Sequence, residues 1–145
     1  MKSKTTASRF VGWSVVFAFM ATFGGIGQSP SAVAATSLVA QTNREGNVEV
    51  KVTPRTLAAD AAVWEFEVTF STHSVTLTGD PAQFSVLVDS RGNTHPALKW
   101  KGDPAGSHHR KGSLQFKPLA GDAAVELRIN GVAGVASRSF RWQRQ

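Results

Sequence analysis

The stretch Trp64-Glu65-Phe66-Glu67-Val68-Thr69-Phe70 alternates large apolar and polar residues without a break. A period of two is that of a β-strand, whose successive side chains point to opposite faces. One face of this segment is therefore built for burial and the other for water. The same period recurs on both sides of it. Val48, Val50 and Val52 alternate with Glu49 and Lys51, and Val75 and Leu77 with Ser74, Thr76 and Thr78. Phe84, Val86 and Val88 share a parity, and Leu87 on the other predicts a strand covered on both faces. Further along, Leu98 and Trp100, Leu114 and Phe116, Val125, Leu127 and Ile129, and finally Phe140 and Trp142 repeat the pattern.

Turn-forming residues separate these runs at Thr53-Pro54, Gly79-Asp80-Pro81, Asp89 to Asn93, Gly102 to Gly106, Pro118 to Asp122 and Asn130-Gly131. No segment keeps a helical period. Strands with one charged and one apolar face bury the latter by packing two antiparallel sheets together. The expectation is an all-β, immunoglobulin-like sandwich of 7–8 strands over residues 47–145. Residues 36–46 carry no period and read as a flexible leader. Trp64, Trp100 and Trp142 each share parity with their strand's aliphatic residues, so all three are expected in the core, which removes the support for sugar stacking.

The beginning of the chain reads differently. Lys2, Lys4 and Arg9 precede an uncharged run from Phe10 to Gly27, followed by a turn-prone stretch and then Ala32-Val33-Ala34-Ala35. This basic, apolar and small-residue succession predicts a signal peptide over residues 1–35, ahead of an uncleaved anchor, because Gly24, Gly25 and Gly27 weaken a spanning helix. The rest of the chain is expected to be exported, periplasmic or extracellular, with no membrane insertion of the mature domain. Half of the formal net charge of +6 belongs to Lys2, Lys4 and Arg9. What remains is too weakly basic for a nucleic-acid partner and leaves a cell-envelope component or a small ligand.

Cysteine is absent, and both methionines, Met1 and Met20, lie in the signal. Disulfides, lipoprotein anchoring and thiol chemistry are excluded, as is a blue-copper site. The carboxylates sit in turns (Asp80, Asp89, Asp103, Asp122) or on the solvent parity of strands (Glu65, Glu67, Glu126). They nominate no convergent acid–base pair. With no nucleophile elbow, zincin helix or phosphate loop, the chain reads as non-enzymatic and without a cofactor.

The histidines remain. Gly106-Ser107-His108-His109-Arg110-Lys111-Gly112 is a polar stretch bracketed by glycines. Read as a loop, it offers imidazoles, a guanidinium and an ammonium, and His108, His109, Arg110 and Lys111 become a candidate anion site. The alternative is zinc or copper held by His73, His108, His109 and Asp80, provided that the two loops meet. Arg110 and Lys111 oppose a cation at that position. His73, on the parity of Val75 and Leu77, is expected to lean inward at the mouth of the sandwich. The reading overall is an exported β-sandwich that binds through its loops.

Overall fold

The computed structural model describes residues 38–121 and 123–144. The signal expected over residues 1–35 lies outside them, as do the leader's first two residues, Asp122 and Gln145. Nine strands follow one another: β1 (Gln41–Glu45), β2 (Val48–Thr56), β3 (Trp64–Thr72), β4 (Ser85–Val88), β5 (Thr94–Pro96), β6 (Lys99–Gly102), β7 (His109–Phe116), β8 (Ala124–Asn130) and β9 (Ser137–Gln143). They form two antiparallel sheets, ordered β1-β2-β3-β7-β6 and β5-β4-β8-β9. Without β1, the first order is that of strands A-B-E-D of an immunoglobulin domain, and the second that of C′-C-F-G. The expected immunoglobulin-like sandwich is therefore the observed fold.

The core is what the alternation requires. Val48, Val50, Val52, Trp64, Phe66, Val68 and Phe70 of the first sheet are buried against Leu87, Val125, Leu127, Ile129, Phe140 and Trp142 of the second. Phe66 sits at the centre, 5.7 Å from the Phe116 ring and 5.5 Å from Trp142. Where chain ends meet the core, arginine closes it. The Arg144 guanidinium lies 4.2 Å above the Trp64 ring and donates to the carbonyls of Leu57 and Leu119.

Four expectations need correction. Residues 41–45 are not part of a mobile leader but strand β1, paired with β2 through a tight turn in which Gly46 and Asn47 both have positive φ (56° and 60°). Val75 and Leu77 form no ladder strand; Leu77 makes a single bridge to Ser107. In β4 the residues turned into the core are Ser85 and Leu87, and Val86 faces outward from the second sheet. Trp100 is half-buried, because β6 is an edge strand. Its indole lies across Gly102 and Gly112, where any Cβ would collide with it, so glycine on both strands makes room for the ring.

Two carboxylates secure the second sheet. The Asp89 carboxylate heads the β4–β5 hairpin, accepting from the backbone N–H groups of Arg91 (2.9 Å) and Asn93 (2.8 Å) and from the Asn93 amide. Hydrogen bonding by the Asn93 side chain, reinforced by its backbone and His95, holds Asp89 well below the usual carboxylate range against an opposing effect of burial. Burial works to raise Glu126, but hydrogen bonds from Arg128 (2.6 Å), Arg141 (3.0 Å) and Ser139 outweigh it and bring it to about 2. Both folded-state values lie below the unfolded ones of about 4. Their contribution is thus complete above that value and lost as pH falls toward the folded values. Thermal melts are expected to show a flat midpoint from neutral pH to about pH 5 and a decline below it. Asp89→Asn should lower the neutral midpoint and flatten the acid limb; an unaltered acid limb in Asp89→Asn and Glu126→Gln alike would show that these carboxylates are not responsible.

Candidate binding site at the loop end

Four connections gather at one end of the sandwich: the β1–β2 turn, the β3–β4 loop (73–84), the β6–β7 loop (103–108) and the β8–β9 loop (131–136). This is the end that carries the recognition loops in antibody variable domains. Two buried arginines organise it. Arg110, 3 % exposed, donates from Nη1 to the Gly79 carbonyl (2.9 Å) and from Nη2 and Nε to the Asp103 carbonyl (3.1 and 3.3 Å), which fastens the β3–β4 loop to the β6–β7 loop. Trp100 supports it, with Arg110 Cζ 5.9 Å from its ring and its own Nε1 on the same Asp103 carbonyl. Arg138, 1 % exposed, fastens the other side. It reaches Val132 O (2.9 Å), Glu45 O (2.8 Å) and Asn43 Oδ1 (2.9 Å), joining the β8–β9 loop to β1.

Between these two fastened lips runs a cleft of about 230 Å³, lined chiefly by Phe70, Val75, Leu77, Phe84, Arg110 and Val132. Its floor is apolar: Phe84 stands edge-on to Phe70, with ring centroids 6.4 Å apart. The Asn130 N–H bonds the Phe84 carbonyl (2.8 Å) at the base of the cleft and ties its two sides together there. The β3–β4 loop is fixed at its start by Thr72, whose hydroxyl accepts from the N–H groups of Ser74 and Val75. At its far end the Asp80 carboxylate accepts from Ala82 N (2.9 Å). Burial lowers the Arg110 guanidinium from its ordinary value, and the charges of Asp80 and Asp103 work against that shift.

The candidate anion residues do not converge. His109, Arg110, Lys111 and Gly112 belong to β7 rather than to a loop, and consecutive strand residues face opposite sides. Arg110 turns into the domain. Lys111 stands on the outer face, where its ammonium is 3.4 Å from Glu67 Oε2. His108 is exposed, and its carbonyl takes the Thr72 N–H.

Of the candidate metal ligands, His73 and His109 do meet, with rings edge-on and centroids 6.1 Å apart, and His109 Nδ1 lies 3.2 Å from Ser71 Oγ. His73 is exposed rather than leaning inward, because the chain leaves the sheet at Thr72. Asp80 is occupied with its own turn. Among the described residues no three His, Cys, Asp or Glu side chains gather as a metal site would require.

Sequence reasoning did not foresee the cleft, and nominated one of the residues that build it, Arg110, for a different site. Parity carried the signal for two of them: Arg110 is in step with Leu114 and Phe116, and Arg138 with Phe140 and Trp142. Both are core-facing positions despite their charge. Val75, Leu77 and Phe84 were read as ordinary strand positions, and nothing in their alternation marked them as the wall of a cleft.

Fold and cleft together define an immunoglobulin-like β-sandwich with a preformed recess among its loops. No family model matches the chain, and no curated protein matches it. Among solved structures it is similar to the crystal structure of a DUF4426 family protein from Pseudomonas aeruginosa PAO1, at 11 % sequence identity and a TM-score of 0.43, over 72 % of this chain and 92 % of that one. Among the described residues no helix is long and apolar enough to cross a membrane.

Proposed function

We propose that this protein is an exported, non-enzymatic binding module that receives an apolar group of its ligand in the cleft between the β3–β4 and β8–β9 loops. One observation carries the reading: the cleft is apolar at its floor, and both lips are held by fully buried guanidiniums. A recess that keeps its shape without a ligand costs little ordering on binding, which is how scaffold-mounted loops reach useful affinity. At about 230 Å³ it suits a single side chain or a ring-sized fragment rather than a large cofactor. Export rests on the basic, apolar and small-residue succession of residues 1–35.

Toluene and benzoate serve as probes of the recess. In two-dimensional NMR titrations they are expected to shift the resonances of Phe70, Phe84 and Val132, with millimolar affinity. Val132→Trp, which fills the mouth, should abolish the shifts while the melting temperature stays within a few degrees. Shifts that map elsewhere on the surface, or that persist unchanged in Val132→Trp, overturn the assignment of the cleft.

A further inference from the structure

We infer that the cleft's partner is an extended peptide, which adds as a short strand to the lip formed by Thr76, Leu77 and Thr78 and places one apolar side chain in the recess. The inference rests on the cleft being the binding site and specifies what enters it. Its basis is the hydrogen-bonding of that lip. Leu77 is paired on one side only: its N–H goes to the Ser107 carbonyl (3.1 Å), and its carbonyl accepts from the Gly106 N–H (2.9 Å). In an extended segment the polar groups of the flanking residues point the other way. Thr76 and Thr78 are exposed, and among the described residues their N–H and C=O groups have no partner. Both line the cleft, and the β6–β7 loop that takes up Leu77 does not. Their free groups therefore lie on the cleft side.

Four unpaired groups on alternate residues of a segment already paired along its other edge make a template for strand addition. The main chain of a peptide laid there meets two N–H and two C=O groups. Its alternate side chains then point alternately toward the recess and toward solvent. The recess is apolar at Phe70, Phe84 and Val132, so the inward residue is aliphatic or aromatic. The Arg110 staple on Gly79 fixes the lip one residue beyond Thr78, so the template is held in place before the peptide arrives.

Thr78→Pro tests this without touching the free fold. It removes an N–H that has no partner among the described residues, and the extended backbone of Leu77 is what a following proline prefers. A phage-displayed library of random heptapeptides is selected on the purified protein, and the best binder is synthesised with and without N-methylation of single backbone amides. The expected result is a set of alternating sequences with one apolar anchor. Thr78→Pro should bind about tenfold more weakly with an unchanged melting temperature, and methylation of one alternate set of peptide amides should cost the same factor. Amide exchange at Thr76 and Thr78 should slow in the complex.

If methylation and Thr78→Pro both leave affinity within about twofold while Val132→Trp abolishes it, strand addition is overturned and the cleft reading stands. If selected peptides bind Thr78→Pro and Val132→Trp as well as the wild type, both fall. If no peptide is enriched, strand addition is overturned, and the toluene and benzoate titrations decide the cleft alone.

Discussion

Trp64→Ala is expected to cost on the order of 4 kcal/mol of folding stability, the middle of the range for removing a large buried aromatic. The indole is fully buried, bordered on one face by Arg144 at 4.2 Å, and its Nε1 donates to the Ala58 carbonyl at 2.8 Å. The substitution removes packing and leaves a cavity. It also strands the Ala58 carbonyl and a guanidinium that had stacked on the ring. Domains of this size have about 5–15 kcal/mol in total and no disulfide supports this one, so the urea midpoint should fall by about 2 M. Trp64→Phe separates the contributions: it keeps most of the packing, loses the hydrogen bond, and should cost about half as much. A Trp64→Ala midpoint within about 0.3 M of the wild type would mean that the ring is not part of the core. Trp100→Ala provides the contrast, since that ring is half-buried on an edge strand and its loss should be felt mainly through Arg110.

How much of this was legible in the sequence depended on whether the hydrophobic effect or hydrogen bonding decided a segment. Where burial decides, period-two alternation reports it directly. Val48 to Val52, Trp64 to Phe70, Val125 to Ile129 and Phe140 to Trp142 were all readable, and with them the two sheets. The exceptions have local causes. Leu98 is exposed and Trp100 half-buried because β6 pairs on one side only, and parity does not reveal which strand lies at an edge. The loop expected at residues 106–112 ends at His108 because β3 continues to Thr72 and draws Arg110 and His109 into register with Phe70 and Ser71. Pairing across a sheet is a long-range property, so glycines and charges at residues 106–112 gave the wrong local impression. The consequence reached the candidate site. Once residues 109–112 are a strand, their side chains divide between the two faces and the anion set cannot close; of the metal set only His73 and His109 meet, while Asp80 serves its own turn. The cleft's floor shows the same limit from the other direction: Phe84 is too far from Phe70 in sequence for any local pattern to join them, although their rings touch edge-on.

Strand β1 is the segment that alternation could never have found, and Arg138 is the residue whose removal should expose the reason. Gln41-Thr42-Asn43-Arg44-Glu45 contains no apolar side chain, so the hydrophobic effect gives it no reason to order. It is held instead by its ladder with β2 and by polar clamps from β9. The Gln41 amide bonds the backbone N–H and C=O of Arg141, Trp142 Nε1 reaches the Val39 carbonyl at 2.8 Å, and Arg138 takes Asn43 Oδ1 and Glu45 O. Arg138→Ala should therefore act twice. Globally it should cost about 3 kcal/mol, because it leaves three part-buried acceptors without their charged donor and a void where the buried side chain lay. Locally it should free β1, so hydrogen exchange at residues 41–45 should accelerate by about a hundredfold beyond the change elsewhere. Arg138→Met restores volume without donors. It should recover part of the global stability and none of the protection of β1, which distinguishes lost packing from lost hydrogen bonds. Val132 belongs to the same clamp, so the β8–β9 lip of the cleft should loosen with β1, and benzoate binding should weaken in both variants. Protection of residues 41–45 that survives in Arg138→Ala would mean that the ladder with β2 suffices alone, and that the guanidinium is not what keeps this polar strand, or the lip beside it, in place.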